Sequence, residues 1–106
     1  MNNDNVFKAL SDNNRRQILK LLRKSGGMTA GEIAKQFSIA QPTVSEHLKI
    51  LKHSGLLSSE RKGQYIEYAL NASILEELIE VFFDLLPKKT DTNPDSLERS
   101  PIKENK

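Results

Sequence analysis

The sequence contains no cysteine. That absence excludes disulfides, thiolate metal sites and a cysteine nucleophile, and it suits a cytoplasmic protein. No apolar run approaches the ~20 residues that cross a bilayer. Residues Met1 to Asn5 are polar and lack the apolar core of a secretory signal, so secretion is not expected. A Ser/His/Asp arrangement, an HExxH helix and a glycine-rich phosphate loop are also missing, and Gly26-Gly27 reads only as a turn. Neither catalysis, nor a cofactor, nor a small-molecule substrate is therefore expected. His47 and His53 are the only histidines. Their spacing does not put them on one helical face, so no metal site is expected from the pair.

What is present fits one small domain. The chain has 106 residues, 37% hydrophobic and 28% charged, within the range of soluble globular proteins. A chain this short buries a modest core, and dimerisation would add to it. The net charge of +2 conceals an asymmetry. Residues 1–68 carry 11 Lys and Arg against 6 Asp and Glu, a balance of +5. Residues 69–106 carry 5 against 8, a balance of −3. A basic front is able to meet a polyanion, although ordinary surface charge has the same appearance.

Val6, Phe7 and Leu10 form a short helical stripe, and Ser11-Asp12 reads as a break and an N-cap. Ile18, Leu19, Leu21 and Leu22 make one face of a helix from Asn13 to Lys24, ended by Gly26 and Gly27. Thr29-Ala-Gly-Glu32 has the form of a capping box, and Ile33, Ala34 and Phe37 supply the buried face behind it. A short turn, Ser38 to Ala40, leads to a helix opening on Gln41-Pro42, with Val44, Leu48 and Leu51 at helical spacing and Gly55 at its end. From Leu57 to Leu70 the pattern changes to two strands around Lys62-Gly63-Gln64, with Tyr65, Ile66 and Tyr68 as β-formers.

Asn71 or Ser73 caps a last helix, Ile74 to Leu86, stopped by Pro87. Its apolar residues are too many for one stripe, so part of its surface needs a further partner. The expected fold is mainly α with a small β-hairpin, in the order α-α-α-α-β-β-α: a winged helix-turn-helix over residues 1–86. Residues 87–106 read as a flexible tail.

The second helix of the pair carries the functional signal. Burying Val44, Leu48 and Leu51 turns Gln41, Thr43, Ser45, Glu46 and Lys49 outward. Such a short-chained, polar front is able to enter a major groove. Gln41 suits an adenine edge, Thr43 and Ser45 suit bases or phosphates, and Lys49 and Lys52 suit the backbone. Glu46 repels phosphate, and either accepts from cytosine or pairs with Lys49. Arg61, Lys62 and Gln64 surround Gly63 at the hairpin tip, where a wing meets DNA. Arg15 and Arg16 face either phosphate or the protein itself, and at least one is expected to be structural.

Four segments carry a family resemblance: residues 7–22 (FKALSDNNRRQILKLL), 28–34 (MTAGEIA), 41–51 (QPTVSEHLKIL) and 63–70 (GQYIEYAL). Together they resemble the ArsR family of transcriptional repressors across roughly residues 4–86, and within it the metal-independent autorepressors of immunity operons. The resemblance implies a repressor that binds double-stranded operator DNA as a homodimer. Its DNA-binding residues would be Gln41, Pro42, Thr43, Ser45, Glu46, Lys49, Arg61, Lys62 and Gln64. Its dimer interface would use the first and last helices, through Val6, Phe7, Leu10, Leu75, Leu78, Ile79, Phe82 and Phe83. It also implies a membrane-located immunity protein as a sequestering partner.

The chain departs from the family pattern at Asn13 and Asn14, where proline is frequent, at Ala40, where serine is frequent, and at Glu46, where His, Gln or Arg is frequent. Metal-sensing members use cysteines, or Asp/His/Glu sets on the last helix. Here that helix offers Glu76, Glu77, Glu80 and Asp84 without histidine, so metal control is not expected. Two other readings stay open: a winged helix that binds protein rather than DNA, and a metal sensor with a non-standard site.

Overall fold

The computed structural model describes residues 3–87, so the expectation of a flexible tail lies almost entirely outside the described residues. The elements run α1 (Asn3–Leu10), α2 (Asn13–Ser25), β1 (Met28–Thr29), α3 (Ala30–Phe37), α4 (Gln41–Ser54), β2 (Leu57–Lys62), β3 (Tyr65–Leu70) and α5 (Ala72–Leu85).

Helix ends follow local chemistry. Asp12 caps α2 by accepting from the Arg15 backbone N–H at 3.1 Å. That hydrogen bond is the main cause holding the Asp12 carboxyl below its ordinary pKa. Gly26, at φ 83°, closes α2 with its N–H on the Leu22 carbonyl. The capping box at α3 is complete: Thr29 Oγ1 accepts from the Glu32 N–H at 3.2 Å, and Glu32 accepts from the Thr29 N–H at 2.9 Å. Ser38, at φ 54°, takes the left-handed conformation that ends α3. Ala40 gives α4 no side-chain cap, and Pro42 lies in its first turn. Of the two residues able to cap α5, Asn71 does so, accepting from Ser73 N–H at 3.2 Å. Asn71 also donates to the Leu56 carbonyl at 2.8 Å and, through its amide, to the Gly55 carbonyl at 3.0 Å. The start of α5 is thus tied to the end of α4.

The hairpin is joined by a third strand. The antiparallel sheet has the order β1-β3-β2, with Met28 opposite Tyr68 and Thr29 opposite Glu67. Two residues are too short to show strand alternation, and Thr29 carries a capping signal that hides its pairing. Its extended backbone, φ −85° and ψ 164°, serves both roles.

The core draws on every helix. Val6, Ala9, Ile18, Leu22, Ile33, Val44, Leu48, Leu51 and Leu56 are buried, with Leu57, Ile74 and Leu78 beside them. The helix α5 contributes only Ile74 and Leu78, and leaves Ile79, Phe82, Phe83 and Leu85 exposed, followed by Leu86.

Candidate nucleic-acid interface

One buried stripe orients α4. With Val44, Leu48 and Leu51 fully inside, Gln41, Pro42, Thr43, Ser45, Glu46, Lys49 and Lys52 are all exposed. At the front of the helix the Thr43 and Val44 N–H groups both donate to the Ala40 carbonyl. Glu46 and Lys49 form an exposed pair at 3.9 Å, as their spacing allows. Exposed pairs of this kind contribute about 0–1 kcal/mol, so Lys49 is easily released to another anion.

The wing presents Arg61, Lys62, Gly63 and Gln64, all exposed. Gly63 takes a positive φ of 63° in the turn, and Arg61 Nη1 donates to its carbonyl at 3.4 Å. Lys62 reaches along the sheet to Glu67 at 3.4 Å. Its charge is therefore partly answered within the wing.

The paired arginines face the protein. Arg15 Nε donates to the Ala9 carbonyl at 2.8 Å, and Nη2 donates to the Lys8 carbonyl at 3.1 Å. Arg16 Nη1 donates to the Leu10 carbonyl at 2.7 Å. Both side chains thus satisfy carbonyls at the C-terminal end of α1, where cations are also favoured by the helix dipole. His47, half-buried on α4, has Nδ1 3.4 Å from Arg15 Nη1. The arginine can only donate, so the imidazole nitrogen accepts.

The residues assigned to a dimer divide into two groups. Val6 and Leu78 are buried within this chain, and Leu10 and Leu75 are half-buried. Phe7, Ile79, Phe82 and Phe83 are exposed, with Phe82 at 51% and Phe83 at 66%. Phe7 and Phe82 meet edge to face at 6.0 Å, so the exposed parts of α1 and α5 form one apolar surface.

Sequence reading missed a cleft between the helix pair and the wing. It has a volume of about 540 Å³ and is lined by Gly31, Lys35, Ile39, Gln41 and Tyr65, with the capping pair Thr29 and Glu32. A β-carbon at Gly31 would stand 3.6 Å from Gln41 Oε1, so the glutamine amide lies over the first turn of α3. Tyr65 had signalled only strand propensity. At 66% exposure, beside a turn glycine, it is a large aromatic that its own chain leaves uncovered.

Among the described residues, no group of three or more His, Asp or Glu is placed to hold a metal ion, and no helix is long and apolar enough to cross a membrane.

Comparison with known proteins adds a family. The model of the bacterial regulatory proteins of the arsR family matches residues 12–59. The chain is similar to the transcriptional repressor SdpR of Bacillus subtilis (strain 168), with 49% identity over 80% of this chain and 93% of that protein. It is also similar to an arsenical resistance operon repressor of Staphylococcus aureus, with 36% identity over 71% of each. Among solved structures, an ArsR-like transcriptional regulator from Rhodococcus sp. RHA1 superposes with a TM-score of 0.72 at 27% identity, covering 77% of this chain and 74% of that one.

Proposed function

The chain belongs to the arsR family of bacterial regulatory proteins and is a DNA-binding transcriptional repressor of that type, and from that premise we propose that it represses its own operon as a homodimer, without a metal signal. One observation carries the DNA-facing half of this reading: α4 buries a single apolar stripe and turns a short-chained polar front outward, beside a basic wing. In this proposal Gln41, Thr43, Ser45 and Glu46 choose bases in the major groove, and Pro42 holds the first turn close to the backbone. Lys49 and the wing residues Arg61, Lys62 and Gln64 hold the flanking phosphates.

The exposed apolar surface of α1 and α5 supports the homodimer. Phe7, Ile79, Phe82 and Phe83 would meet their symmetry mates, with Leu10 and Leu75 at the margin and Val6 and Leu78 supporting from below. Metal independence rests on ligand chemistry: the chain has no thiolate, and α5 carries carboxylates without a histidine. A cytoplasmic location and release by a membrane-located immunity protein belong to the same proposal. Transfer of the repressor to the membrane fraction on induction tests that release.

The direct test is retardation of DNA from upstream of the protein's own gene, titrated with salt. Log affinity falls linearly with log salt, with a slope of about −0.9 per phosphate contacted. Absence of retardation at low salt would favour a winged helix that binds protein instead.

A further inference from the structure

The cleft between α3, the front of α4 and the wing has no part in the assignments above except through Gln41. We infer that this cleft seats one segment of the DNA sugar-phosphate backbone, with Lys35 and Tyr65 as the residues that hold it; the inference rests on the DNA-binding reading of α4.

The geometry supports this in three ways. First, the cleft opens beside Gln41, the foremost exposed residue of the recognition helix. A strand whose base meets Gln41 has its backbone within reach of the same cleft. Second, the cleft wall offers groups of the required kind. Lys35 is an exposed cation on α3. Tyr65 opens β3 and is 66% exposed. Its phenol donates one hydrogen bond to a phosphate oxygen, and its ring covers a deoxyribose face. Third, the one carboxylate in the wall is occupied at home, because Glu32 accepts from the Thr29 N–H in the capping box. Its charge lies at the N-terminal end of α3, where the helix dipole offsets it.

Contacts of this class fix register without reading sequence. Lys35 and Tyr65 therefore act as positioning residues for Gln41, and their loss weakens all duplexes together. The functional cost of losing the phenol oxygen is separable from folding, since Tyr65→Phe keeps the ring and the site is exposed.

The test uses the full-length protein with two probes, a duplex from its own upstream region and a scrambled duplex of equal composition, each titrated with salt. Lys35→Gln is expected to weaken both duplexes and to make the salt slope shallower by about 0.9, one phosphate contact. Tyr65→Phe is expected to weaken both by about ten- to a hundredfold with the slope unchanged, as for a neutral donor to a charged acceptor. Variants that bind both duplexes with wild-type affinity and slope overturn the cleft assignment while leaving the DNA reading intact. Selective loss on the upstream duplex would make these base contacts and also overturn it. A wild-type protein that binds neither duplex overturns the DNA reading and the cleft with it.

Discussion

Helices α4 and α5 each have 14 residues, and they flank the hairpin in sequence and meet at its base. Their surfaces differ. In α4 Val44, Leu48 and Leu51 form one stripe that is fully buried, Ile50 is half-buried beside it, and the opposite face is polar. In α5 two residues anchor the helix to its own core, and phenylalanine, isoleucine and leucine cover much of the remainder. Backbone geometry is common to both, so the distribution of side chains sets the partner. A polar face of short side chains suits a groove lined with hydrogen-bonding edges. A contiguous apolar face suits a second protein surface. The contrast reaches the helix starts: Asn71 caps α5 and ties it to the end of α4, whereas Ala40 leaves the front of α4 without a side-chain oxygen.

The largest expected effect comes from charging the apolar helix. Phe82 and Phe83 are exposed, so Phe82→Glu with Phe83→Glu leaves the core intact and gives a monomer by sedimentation. Operator affinity then falls about 100-fold or more, because the two half-sites are no longer bound by tethered heads. A double variant that remains dimeric would break the contrast between the helices. The same charge at Leu78 would be a poor probe, since that side chain lies inside the chain's own core.

Changing the polar helix acts on choice of sequence. Gln41→Ala is expected to reduce discrimination between operator and scrambled DNA by about 1–3 kcal/mol, the worth of one bidentate base contact. Equal loss on both duplexes would reassign Gln41 to the backbone.

Arg15→Ala separates structure from binding. Its guanidinium serves carbonyls at the end of α1, so the variant should lose about 2 kcal/mol of stability in a urea titration, a typical value for hydrogen bonds from a charged group. The salt slope of DNA binding should be unchanged; a shallower slope would make Arg15 a phosphate contact. The smallest effect is a gain. Ala40→Ser supplies the missing N-cap oxygen and should stabilise the fold by about 0.5–1 kcal/mol, measured by thermal melting.

Local signals were the legible ones. The Thr29–Glu32 capping box, the closing roles of Gly26 and Gly55 and the buried stripe of α4 depend on residues close in sequence, where periodicity and capping chemistry act. The strand β1 was hidden because two residues have no period and Thr29 already carried a cap. The roles of Arg15 and Arg16 were open, because an arginine near a helix start looks the same whether it meets phosphate or the carbonyls of the preceding helix. The apolar excess of α5 was visible, but its division was not: helical spacing groups Leu78 with Ile79 and Phe82 without saying which of them the chain buries for itself. The cleft at Lys35, Gln41 and Tyr65 joins residues from α3, α4 and β3, and no local pattern joins them.

A footprint of the purified protein on its own upstream DNA tests the central claim most directly. Two polar α4 fronts carried on one apolar dimer should protect two symmetry-related half-sites, one helical turn of ~34–36 Å or a multiple of it apart. Protection of a single unpaired site, or none at low salt, would contradict the account.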